Sequence, residues 1–114
     1  MESILNTVKA YIGPMGDDTS FDAELIMHIN SALATLTQLG VGPKTGYRIT
    51  GESETWAAFM GDDEPLLNFV PEYVGIKVKL VFDPPQNQSV REALERSLSE
   101  STWRIATQCG VTNS

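Results

Sequence analysis

The chain has 114 residues, 41% of them hydrophobic and 20% charged, with 15 acidic against 8 basic side chains and a formal net charge of −7. This length predicts one domain able to bury a modest core without staples, and the composition is that of an ordinary soluble globular chain. The charge balance argues against a protein that grips nucleic acid by its phosphates, which needs clustered Lys and Arg: Lys44 with Arg48 and Lys77 with Lys79 are isolated pairs, and every charged residue between Arg48 and Lys77 is acidic.

The first predicted helix runs from about Glu2 to Ile12. Leu5, Val8 and Ile12 share one face, flanked by Ile4 and Tyr11, and Gly13-Pro14 stops it. This N-terminus has no basic start and no long apolar centre, so it does not read as a secretory signal. "MGDDTS" forms a turn, with Thr19 or Ser20 expected to cap the next helix and Asp22 and Glu24 suited to the positive end of its dipole. That second helix, about Phe21 to Leu39, is the clearest element: Leu25, Ile29, Leu33 and Leu36 recur at three- and four-residue spacing beside Ala32, and Gly40 and Pro43 end it.

"GVGPKTGYRITGE" follows and is too glycine-rich to be helical. Tyr47 and Ile49 alternate with Arg48, which leaves open a short strand or hairpin arm. Ser53 is placed to cap a brief helix through Trp56, Phe59 and Met60, ending at Gly61.

The stretch "EYVGIKVKLVFDPP", residues 72–85, reads two ways. Ile76, Val78, Leu80 and Phe82 alternate as in a strand, and β-branched residues suit a pleat. At helical spacing Glu72, Gly75, Lys79 and Asp83 form a narrow polar stripe. Length favours the helix, because the apolar segment from Leu66 to Phe82 is long for a strand. A strand would also have only the Tyr47–Ile49 region as a partner, and an isolated pair is marginal. A helix from about Pro65 to Phe82 is therefore expected, kinked or restarted at Pro71.

Asp83-Pro84-Pro85 should form a rigid corner. In the last helix Ser89 and Glu92 read as a capping box. Val90, Leu94, Leu98 and Ile105 follow one side, Glu92–Arg96 and Glu100–Arg104 are i,i+4 pairs, and the helix should fade near Cys109-Gly110. No apolar run approaches the roughly 20 residues of a membrane helix. A lone cysteine excludes an internal disulfide and fits a reducing cytoplasm.

Chemistry has little support. Glu24 and His28, at i,i+4, could share a metal, but no third ligand is evident. Cys109 and His28 could be imagined as a nucleophile and its base, but Cys109 lies at a fraying terminus. Nucleotide-loop and hydrolase motifs are missing. Asp17-Asp18 and Asp62-Asp63 lie in turns, where Asp is common for backbone reasons. No catalytic, cofactor-binding or metal residue is therefore assigned.

"FDAELIMHINSALATLTQLGVGP", "TWAAFMGD" and "YVGIKVKLVFDPPQNQSVREALERSLSESTWRI" together resemble the head–tail connector, or head-completion adaptor, proteins of bacteriophages and prophages. The most specific parts are "HIN" followed by "LTQLGVGP", and "LVFDPP" before the last helix. The resemblance implies a mainly α fold, a small bundle of about four helices with a long glycine-rich loop. It implies a non-enzymatic virion subunit in a ring, commonly of twelve copies, seated on the portal protein and offering a platform for the next completion protein. DNA would pass through its channel without sequence-specific binding. Residues 1–114 are expected to be one connector domain. The loop from Gly40 to Glu52, through Lys44, Tyr47, Arg48 and Ile49, is the expected contact arm toward a neighbour or the next ring. The segment from Ser89 to Ser114, with Trp103 and Arg104, is the expected portal contact. The alternative is a small helical regulatory binding module of a phage or bacterium.

Overall fold

The stretch from Glu72 to Phe82 is helical. It forms the second half of α4 (Glu64–Phe82), the central element of a computed structural model that describes residues 3–13, 19–61 and 64–108. The other helices are α1 (Ile4–Ile12), α2 (Asp22–Gln38), a single short turn α3 (Trp56–Met60) and α5 (Gln88–Gln108). A 3-10 turn, Thr19–Phe21, leads into α2. No strand forms among the described residues; the one extended pairing is an isolated bridge between Ser3 and Thr55.

α4 packs against all four other helices. The expected faces meet there: Leu5, Val8 and Ile12 of α1 and Leu25, Ile29, Ala32, Leu33 and Leu36 of α2 are buried, with Val70, Tyr73, Val74 and Val78 of α4. Burying one such aliphatic side chain stabilises by about 1.5–3 kcal/mol, which outweighs the strand propensity of the α4 sequence. α4 runs through Pro71 as one element, although proline leaves one helical hydrogen bond unmade.

Gly75 does not lie on an exposed polar stripe. It is buried under Tyr11, where α1 crosses α4, and a Cβ there would lie 2.6 Å from Tyr11 Cγ and 2.8 Å from Cε2. Cγ is close to the backbone and cannot swing away as a side-chain tip can. Alanine is intrinsically favoured over glycine in a helix by about 1 kcal/mol. Gly75→Ala is therefore expected to lower the urea midpoint in the natural chain and to raise it in a Tyr11→Ala background. A stabilising effect in both backgrounds would show that the crossing is not tight.

Several helix ends differ from expectation. Thr19 and Ser20 lie in the 3-10 turn, and the N-cap position of α2 is Phe21, which provides no side-chain cap. Thr55, not Ser53, caps α3, accepting from the Ala58 N–H at 3.2 Å. The Ser89–Glu92 capping box does not form, because α5 starts one residue before Ser89. Asn87 Oδ1 accepts from the Val90 N–H at 3.1 Å, and Glu92 accepts from Gln88 at 2.9 Å. Residues 83–87, with both prolines, make the corner between α4 and α5. Asp17-Asp18, Asp62-Asp63 and Cys109-Gly110 lie outside the described residues.

Candidate assembly interface

The glycine-rich loop forms no hairpin, yet it has a fixed path. Gly40, at φ 100°, turns the chain off the end of α2. Val41 and Ile49 then enter the core, and Tyr47 packs against Phe59 with ring centroids 5.4 Å apart and the planes tilted by 40°. Gly42 is required twice over. Its φ is +75°, and a Cβ would stand 2.9 Å from the Phe59 carbonyl oxygen.

Two polar side chains hold this loop. Asn30, midway along α2, donates from Nδ2 to the Ile49 carbonyl at 3.1 Å and accepts at Oδ1 from the Ile49 N–H at 2.7 Å. One amide side chain thus gives the loop the pair of bonds that a neighbouring strand would give. Glu54 accepts from the Thr50 hydroxyl at 2.8 Å, the Thr50 N–H at 2.9 Å and the Gly51 N–H at 3.3 Å. The Thr50 hydroxyl bond, helped by the loop amides, lowers the Glu54 carboxyl below its ordinary range against a smaller opposing effect of desolvation. Burial, then the Glu54 charge, raises the Tyr47 phenol.

The sign for Glu54 follows from linkage. A carboxyl lowered on folding stabilises the loop above its unfolded pKa, and that contribution is lost as pH falls through the folded value. Glu54→Gln removes the charge and turns a donor toward the loop amides. The variant is expected to be less stable than the natural chain at neutral pH and to match it in strong acid. A gap in thermal midpoint that does not close on acidification would sink this account.

Loop and helix enclose a groove of about 710 Å³, lined by Met27, Asn30, Ala34 and Gln38 of α2 and by Lys44, Tyr47 and Arg48 of the loop. Lys44 and Arg48 are exposed, Tyr47 is half-buried, and Ile49 is 1% exposed. Of the four loop residues expected to make contacts, three face the groove, while the Ile49 side chain anchors the loop to the core instead. Trp103 and Arg104 lie elsewhere, on α5, which lines no part of this groove. Trp103 is 62% exposed, and Arg104 pairs with Glu100 and sits 5.7 Å from the Phe69 ring centroid.

Asn30, Glu54 and Met27 were not singled out from the sequence. The available signal was Asn30 itself, a weak helix former set beside the core position Ile29. The His28 imidazole and the Glu24 carboxylate approach to 3.9 Å, but no three His, Cys, Asp or Glu side chains converge among the described residues.

No described helix is long and apolar enough to cross a membrane. Neither a curated protein nor a solved structure matches the chain. A family model described as phage connector protein matches residues 4–112, which takes in every helix and the whole loop. With nearly the full sequence matched, and a helical fold of the kind the resemblance implies, the chain belongs to the phage connector protein family, whose role is structural.

Proposed function

We propose that the chain is one connector domain over residues 1–114 and a ring-forming head–tail connector subunit of the virion. The family match over residues 4–112 carries this reading. In it, copies assemble on the portal protein, extend the DNA channel and present a platform for the downstream completion protein. Commonly such a ring has twelve copies. Subunits are made and assembled in the host cytoplasm, and no cofactor or catalytic group is involved.

The test mixes the purified protein with portal-bearing heads and images the vertex by electron microscopy. A closed density of many 12.5 kDa copies beneath the portal is expected. Heads that never acquire it would overturn the reading.

A net charge of −7 also supports passive passage of DNA, since a lining that attracted phosphates would retard it. In a mobility-shift titration at low salt, where electrostatics are strongest, the isolated subunit is expected to bind duplex DNA weakly or not at all. A micromolar complex that weakens steeply with salt would contradict the passive channel.

A further inference from the structure

We propose, resting on the ring reading above, that neighbouring copies meet through two different surfaces: the groove between α2 and the loop on one copy, and the outward face of α5 on the next. The groove is unusual for so acidic a chain. It carries the Lys44 and Arg48 cations, and no carboxylate lines it among the described residues. Neither cation has an ion pair there among those residues, and Met27 at its edge is 60% exposed.

The face of α5 is its complement. Glu92, Ser99 and Trp103 recur at helical spacing on the side opposite Leu94, Leu98 and Ile105. Around Ser99 this face carries the carboxylates of Glu92, Glu95 and Glu100 with the guanidinium of Arg96, and Arg104 pairs with Glu100 at its edge, which leaves the face acidic through Glu92 and Glu95. Trp103 stands proud of the helix while Ser101 and Ile105 behind it are buried. Exposed tryptophans that enter a partner's pocket are typical interface anchors. The groove lies within the roughly 300–1,000 Å³ range of pockets that take up small organic groups, so an indole has room beside Met27 and Tyr47. Opposed charges on the two surfaces then fix the register of docking.

A ring also needs a contact that is not self-complementary. Two different patches must meet, and each copy must use both at once. The groove and the α5 face share no residue, so occupying one leaves the other open.

The experiment reverses the charges. Lys44→Glu with Arg48→Glu, and separately Glu92→Lys with Glu95→Lys, are expected to cut the assembled fraction on portal-bearing heads at least tenfold. Thermal midpoints should hold, because all four side chains are exposed. All four substitutions in one chain should restore assembly. In a Cys109→Ser background, Thr45→Cys with Ser99→Cys should give an oxidised ladder of many covalently joined copies. Natural rings together with fully assembling reversed-charge variants and no ladder would overturn this contact and leave the ring intact. Cross-linking of Ser99→Cys to the portal instead of to a second copy would overturn it equally. A natural chain that never assembles on heads would remove the ring reading, and this contact with it.

Discussion

Leu33→Ala is expected to destabilise the fold by about 2–5 kcal/mol, the range for truncating a fully enclosed leucine. Leu33 is 0% exposed at the centre of α2, within the core shared with α1 and α4. Stabilities of about 5–15 kcal/mol are usual for folded proteins, so this one change would remove a large share of the total. Urea unfolding should show a lower midpoint with an unchanged slope. A loss below about 1 kcal/mol would mean that the core closes over the gap or that the α2 face is wrongly assigned.

Asn30→Ala should have the second largest effect, by another route. It deletes little apolar contact but leaves the Ile49 N–H and C=O without their partner. Each unsatisfied buried backbone group costs about 1–3 kcal/mol. Both bonds are only partly shielded here, so water recovers some of that, and a net loss of about 2 kcal/mol is expected. Asn30→Asp separates the two bonds: a carboxylate still accepts from the Ile49 N–H but repels its carbonyl. It should fall between the natural chain and the alanine variant. If alanine proves neutral, the loop is held by Val41, Ile49 and Tyr47 alone.

The helices were legible because their burial pattern is periodic. Leu25, Ile29, Leu33 and Leu36 announce a face, and Gly13, Gly40 and Gly61 mark ends that the structure keeps. The residue pair at the α1–α4 crossing was not legible. Gly75 looked like part of a polar stripe because glycine has no side chain to declare what lies above it, and Tyr11 supplies that only in three dimensions. The caps failed for a similar reason. Ser53, Thr55, Asn87 and Ser89 are all competent caps, and the choice depends on where packing starts the helix. In the candidate interface, Lys44, Tyr47 and Arg48 were found as a loop cluster, but the α2 side of their groove was not. Asn30 and Ile49 are 19 residues apart, and no local pattern links an amide to a distant peptide group.

That amide has a consequence for how the protein can change over time. Asn30 recognises a peptide unit and is indifferent to the side chain it carries; the demand for an apolar residue at 49 comes from the core. Gly42 is fixed by its contact with Phe59, and Tyr47 by packing against the same ring. Lys44, Thr45 and Arg48 answer to none of these restraints. They can drift in charge and size while the scaffold beneath them stays as it is. A lineage could thus retune which surface its loop fits by substituting a few exposed residues, without refolding the bundle that presents them.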